Sequence, residues 1–283
     1  MDSTVYLNGA YLPKSTAQLS PDDRGFLFGD GVYEVARAYG GRFFRLAQHV
    51  DRMARGLAAL RIHGFDAQAL ADIAGALIDR NGLGRGDATV YVQVTRGAAP
   101  RTHKFPDPPV PPTVYAAAGA LATRFDPAVG VAAVTAPDTR WARCDIKTVG
   151  LLANCLAQQA AYDRGAVEAI FVRDGMALEG TQTSFFAVIA GMVVTAPATN
   201  YILPSITRGA VLEVCRAMGI DAEERPIELA EVFTAEELFL AGTTMEVMPI
   251  VTVDGVAVHS GTPGAVTTAL RAHLRTLIER EVT

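Results

Sequence analysis

Lysine is almost absent from this chain of 283 residues: it occurs at Lys14, Lys104 and Lys147, and the remainder of the 25 Lys plus Arg are arginines. Either residue can carry surface charge, but only lysine gives up its proton readily enough to attack a carbonyl and form a Schiff base. Three candidates therefore cover any amine chemistry. Lys14 follows Pro13 in a turn-like stretch and Lys104 adjoins a proline-rich loop, which places both in solvent. Lys147 lies in RCDIKTVGLLANCLAQQA, at the entrance of an apolar stretch that reads as a helix ending at Gly165. Partial burial there would lower its proton affinity. A lysine snorkelling at a helix end is the other use of such a position.

A lysine that carries pyridoxal phosphate needs phosphate donors, a carboxylate for the pyridine nitrogen, a group near the ring hydroxyl and a seat for the substrate carboxylate. The run Ser205-Ile206-Thr207-Arg208 opens a helix, where free N–H groups and the Thr207 hydroxyl can seat a phosphate or simply form an N-cap. Gly242-Thr243-Thr244 closes an apolar run and could add donors, or merely end a strand. Glu179, before Gly180 at a strand end, could keep a pyridine nitrogen protonated or be an ordinary turn residue. Arg140 could approach the ring hydroxyl or hold a structural ion pair. Arg101 and His103 leave a strand into a loop two residues apart, able to converge on one anion or to remain solvated.

The elements that must position these residues follow from periodicity. Short strand-like runs with turn signals open the chain, at 5–7, then 31–39 before Gly40-Gly41. Apolar residues at Leu46, Val50, Met53, Leu57 and Leu60 recur at helical spacing, leaving Arg52 and Arg55 off the stripe. A helix over 67–80, strands over 88–95 and 113–118, and a proline-rich loop over 105–112 complete the first part. Strands over 130–136, 170–172, 176–178, 184–189, 192–195, 237–240 and 251–253 then alternate with helices over 147–165, 205–218 and 265–280. Antiparallel hairpins with helices to one side imply an α+β fold of two domains, 1–118 and 125–283, joined by a linker at 119–124.

Half of the residues are hydrophobic, ample for a packed core, and the net charge is -5 with arginines scattered among acids, so no basic stripe serves nucleic acid. No apolar run reaches the length of a membrane span, and the first residues lack a basic segment followed by an apolar one. Cys144, Cys155 and Cys215 are an odd number without C-x-x-C spacing, which argues for a reducing cytoplasm and against a metal site.

Taken together the stretches 23–35, 49–52, 94–103, 140–147, 168–170, 179–180, 202–208 and 243–244 resemble the fold-type IV pyridoxal-phosphate aminotransferases, and within them the D-amino-acid transaminases. The resemblance spans nearly the whole chain. It implies that Lys147 holds pyridoxal 5'-phosphate and shuttles the proton, and that Glu179 faces the pyridine nitrogen. Arg52, Ile206, Thr207, Thr243 and Thr244 would bind the phosphate, Arg140 would lie near the ring hydroxyl, and Leu203 would pack on the ring. Tyr33, Arg101 and His103 would hold the carboxylate of a D-amino-acid donor such as D-alanine or D-glutamate, with 2-oxoglutarate or pyruvate as acceptor. It also implies a homodimer. Rival activities within the family are branched-chain L-aminotransferase, R-selective amine transaminase and aminodeoxychorismate lyase; a non-enzymatic pyridoxal-phosphate binding protein is the rival outside catalysis. The sequence departs from the family pattern at Ser205, where glycine is common, and at Thr183-Ser184, and it leaves open whether Arg37 reaches the substrate.

Overall fold

The computed structural model describes residues 2–122 and 124–282. The chain divides into two compact units, Met1–Ala122 with Ile146–Gly150 and Glu281–Thr283, and Thr123–Asp145 with Leu151–Arg280. Residue 123 of the expected 119–124 linker lies outside the described residues. The stretch around Lys147, read from sequence as part of the second domain, groups by its contacts with the first unit.

The first unit runs β1 (Thr4–Leu7), β2 (Ala10–Pro13), a 3-10 turn, α1 (Arg24–Phe28), β3 (Gly31–Tyr39), β4 (Arg42–Phe43), α2 (Leu46–Leu60), α3 (Ala69–Arg80), β5 (Asp87–Thr95) and β6 (Thr113–Ala120). Its six strands form one antiparallel sheet in the order β2-β1-β6-β5-β3-β4. Residues alternate across a strand, so Val32, Glu34, Ala36 and Ala38 share one face of β3 while Tyr33 and Arg37 share the other. Against the first face pack Val50, Met53 and Leu57 of α2 and Leu70, Ile73 and Leu77 of α3, with Val90, Val92 and Val94 of β5. Gly56 lets α2 lie close to β3: a Cβ there would meet Val32 Cγ1 at 3.1 Å.

The second unit runs β7 (Val131–Pro137), α4 (Leu152–Asp163), β8 (Glu168–Arg173), β9 (Met176–Gly180), β10 (Ser184–Ile189), β11 (Met192–Thr195), α5 (Ile206–Met218), β12 (Ala222–Glu224), β13 (Ile227–Glu228), α6 (Leu229–Val232), β14 (Glu237–Gly242), β15 (Glu246–Val253), β16 (Val256–Ala257) and α7 (Ala265–Val282). Its ten strands order as β12-β11-β10-β14-β15-β7-β8-β9-β13, with β16 on β15. Ser184 of β10 also pairs with Glu179 of β9, so the strands β10-β14-β15-β7-β8-β9 close on themselves. Ile170, Phe185, Leu238, Leu240 and Ile250 fill the core of this unit. Hairpins alone do not build this sheet. β7 is parallel to both β8 and β15, and α4 is the crossover that the β7–β8 connection requires. The α+β class holds in both units, with parallel pairing confined to the neighbours of β7 and to β11–β12.

Candidate active site

Lys147 is held by strand-like contacts. The N–H of Tyr33 donates to Lys147 O at 3.0 Å, Thr148 bridges Val32, and the N–H of Val149 donates to Gly31 O at 3.1 Å. Helix α4 begins only at Leu152, so the expected helix over 147–165 is shortened: pairing with β3 takes the backbone groups that a first helical turn would need. The half-buried side chain puts Nζ 4.2 Å from the centroid of the Tyr33 ring, whose face favours an ammonium.

On the other face of β3, Glu34 is 1% exposed and receives Arg52 as a fork, Nε to Oε1 at 2.6 Å and Nη2 to Oε2 at 2.8 Å, with His49 Nδ1 2.8 Å from Oε2. Burial alone would raise the Glu34 carboxyl, but the Arg52 hydrogen bonds and charge, with His49, bring it down to about 2. Burial lowers His49 below its ordinary value, although Glu34 opposes this. Arg52, off the apolar stripe of α2, is nevertheless buried, and the fork on Glu34 meets its charge there. Sequence reasoning missed Glu34 as a partner. A lone carboxylate at an inward-facing position of β3, with His49 and Arg52 three residues apart on α2, was the signal.

The loop after β5 carries Arg101 and His103, both exposed and both against Phe28: the guanidinium lies 5.3 Å from the ring centroid, and the imidazole makes a T-shaped contact with the ring at 5.7 Å between centroids. Arg37, on the Tyr33 face of β3, is buried in an ion pair with Asp87 and stacked over Tyr39 at 4.4 Å.

In the second unit Glu179 is the penultimate residue of β9. Both its oxygens accept from the Leu203 N–H, at 3.2 and 3.1 Å, and Oε1 also accepts from Arg140 Nη1 at 2.5 Å. Arg140 is in turn held by Asp138, Nε to Oδ1 at 2.9 Å, by the Tyr201 carbonyl at 3.2 Å, and over the Phe171 ring at 4.2 Å. Of the two uses open to Arg140, an ion pair is the one its hydrogen bonds make, and Asp138 and Arg173 extend that pair into a network. Directly after Glu179, Gly180 cannot carry a side chain: a Cβ would lie 2.3 Å from Thr183 Oγ1 and 2.8 Å from the Glu168 carboxyl. Buried Glu168 accepts from the Thr181 N–H at 2.9 Å and from the Thr183 hydroxyl at 2.8 Å, so it fixes the turn that follows Glu179. Burial pushes the Glu168 carboxyl up. Ser184 is buried in β10 opposite Glu179.

Ser205 caps α5, its Oγ accepting from the Arg208 N–H at 3.2 Å, which gives that departure from the family pattern a local role. The N–H groups of Ile206 and Thr207 open the helix and have no carbonyl one turn back to bond, so they are free to face an anion. Thr243 and Thr244 lie in the turn from β14 to β15, and buried Glu246, which opens β15, accepts from Arg275 Nε at 2.6 Å. Within the second unit, a charge-stabilised carboxylate, a helix N-terminus with a threonine and a Gly-Thr-Thr turn have the chemistry that the pyridine nitrogen and phosphate of pyridoxal phosphate require; the first unit holds a half-buried lysine and a buried arginine. Among the described residues no group of three or more His, Cys, Asp or Glu is placed to hold a metal ion, and no helix is long and apolar enough to cross a membrane.

The family model for amino-transferase class IV matches residues 31–253. The chain belongs to this family. Among its class IV aminotransferase relatives is the D-alanine aminotransferase of Bacillus licheniformis, 37% identical over 278 residues and covering 98% of each chain. The D-alanine aminotransferase of Staphylococcus haemolyticus is 36% identical over 97% of this chain and 98% of its own. Among solved structures, the branched-chain aminotransferase of Thermoproteus uzoniensis with norvaline superposes with a TM-score of 0.89 at 25% identity, covering 99% of this chain and 96% of that one. A second branched-chain amino acid aminotransferase, from T.th. and with pyridoxamine 5'-phosphate, gives 0.90 at 25% identity, covering 99% and 95%. This class IV aminotransferase is a pyridoxal-phosphate-dependent transaminase.

Proposed function

We propose that the enzyme transaminates D-amino acids, D-alanine or D-glutamate, with 2-oxoglutarate or pyruvate as acceptor. When bound, the cofactor supplies an electron sink for the donor α-carbon. Lys147 provides the amine that tethers it and the base that takes the α-proton at Nζ and later returns it. Glu179, held by Leu203 and Arg140, keeps the pyridine nitrogen protonated, and Arg140 both orients Glu179 and lies near the ring hydroxyl. Ile206 and Thr207, with Thr243, Thr244 and Arg52, hold the phosphate, and Leu203 packs on the ring. Tyr33, beside Lys147, and the Arg101–His103 pair receive the donor carboxylate.

The observation that carries the D-specific reading is the exposed pair Arg101 and His103, gathered on one aromatic ring on the unit that holds Lys147. The D-alanine aminotransferase relatives support it over nearly their whole length. We assign the enzyme to a reducing cytoplasm, in keeping with its three free cysteines, and to a homodimer.

The test is Arg101→Leu. Losing a charge-assisted pair costs about 1.5 to 3 kcal/mol, so KM for D-alanine should rise at least tenfold while the cofactor spectrum stays unchanged. Unaltered D-donor kinetics would refute the carboxylate assignment. A wild-type preference for L-leucine or L-isoleucine would make the enzyme a branched-chain L-aminotransferase.

A further inference from the structure

The loop bearing Arg101 and His103 is tied down by residues outside the set assigned to the reaction. Arg24 of α1 is 3% exposed and sends Nη1 to the Thr102 carbonyl at 2.6 Å and to the Lys104 carbonyl at 3.5 Å. Its Nε bonds Asp30 Oδ2 at 2.8 Å. Asp30 also receives Arg96, Nε to Oδ2 at 2.8 Å and Nη2 to Oδ1 at 3.0 Å. Arg96 continues to the Leu60 and Arg61 carbonyls at 2.6 and 2.8 Å, at the end of α2, and its guanidinium lies 3.5 Å from the centroid of the Phe105 ring. One carboxylate thus joins two arginines, and each arginine grips the same loop, one through backbone carbonyls and one through Phe105.

Phe28 completes the arrangement. Arg24 stands over its ring at 4.8 Å, Arg101 at 5.3 Å, and His103 packs against it in a T-shaped contact at 5.7 Å. A buried cation, an exposed cation and an imidazole therefore share one ring, and the shared ring makes the placement of Arg101 depend on the placement of Arg24.

We propose that Phe28 and Arg24, with Asp30, are positioning residues that pre-orient Arg101 and His103 for the donor carboxylate. The proposal rests on the reading of Arg101 and His103 as the carboxylate seat. An exposed arginine on an untethered loop must be ordered each time a donor binds, whereas one held on a ring that is itself held by a buried ion pair is already ordered. The network thereby acts on donor affinity, and the proton transfer at Lys147 does not depend on it.

The experiment compares Phe28→Leu, Phe28→Tyr, Arg24→Lys and Arg101→Leu as holoenzymes, with D-alanine and 2-oxoglutarate. Leucine fills the space without a ring face, tyrosine keeps the face, and lysine keeps the charge toward Asp30 without the fork to two carbonyls. Ordering two side chains anew corresponds to about a tenfold loss of affinity. Phe28→Leu and Arg24→Lys should each raise KM for D-alanine by about that factor with kcat within about twofold, and Phe28→Tyr should restore the wild-type KM. If Arg101→Leu raises KM but Phe28→Leu and Arg24→Lys do not, or if their effects fall on kcat, the positioning role is refuted. If Arg101→Leu itself leaves KM unchanged, the carboxylate reading fails first and the proposal falls with it.

Discussion

Glu34→Gln removes the charge that holds Arg52 and contacts His49 inside the first unit. Bringing the Glu34 carboxyl from its usual 4.5 to about 2 corresponds to about 3 kcal/mol of preference for the charged form, at about 1.4 kcal/mol per pH unit. Glutamine keeps one acceptor for Arg52 but turns an amide N–H₂ toward a guanidinium and an imidazole. Breaking one partner of a buried pair costs about 3 to 5 kcal/mol, and the surviving acceptor places this variant at the lower end. Urea unfolding of cofactor-free protein measures it. With a slope of roughly 3 kcal/mol per molar, the midpoint should fall by about 1 M. The wild type adds a signature in pH. The unfolded chain protonates Glu34 near 4.5 and the folded chain only near 2, so the stabilisation is complete above about pH 5 and drains away as pH falls toward 2. His49, lowered in the folded state, acts in the same direction below its unfolded value of 6.5. In the glutamine variant the dependence below pH 5 should flatten. An unchanged midpoint, or an unchanged pH slope, would show that the buried triad contributes no net stability and that Arg52 is held by something else.

Borohydride reduction of the yellow holoenzyme should fix the cofactor on the one tryptic peptide containing Lys147, and labelling at Lys14 or Lys104 would remove Lys147 from its role. Lys147→Ala should fold, since the segment is held by backbone bonds to β3 that the substitution keeps, yet lose transamination almost wholly, as circular dichroism and activity would show. Glu179→Gln should retain the Leu203 contact but lose the charge, lowering kcat by at least roughly tenfold, about 1.4 kcal/mol in the barrier; full activity at full cofactor occupancy would mean that another group serves the pyridine nitrogen.

Where one residue type or one period dominates, the chain could be read directly. The 3.6-residue stripe of α2 and the turn-bounded strands β10 and β11 have the bounds that periodicity implies, and the 283-residue pattern of motifs placed the chain in its family. Long-range pairing could not be read this way. Val149, Leu151 and Leu152 look helical beside Lys147, but β3 takes that backbone before a helix can start, and Gly150 breaks the run. The first half of β15 was missed because Pro249 interrupts the strand signal and Glu246 sits at φ 59, a conformation uncommon for a non-glycine residue. Some partners of these arginines are carboxylates distant in sequence, Glu34 for Arg52 and Asp30 for Arg96, while Asp30 for Arg24 and Asp138 for Arg140 lie close by. Each looks like one of many surface acids until the fold buries it.

The most direct measurement of the central claim is the donor half-reaction, run without acceptor on one sample of yellow holoenzyme. If Lys147 works on a donor whose carboxylate is held for the D configuration, D-alanine should bleach the yellow absorbance and release one pyruvate per active site, while L-alanine and L-leucine leave the spectrum in place. Bleaching by L-leucine or L-isoleucine faster than by D-alanine would contradict the account.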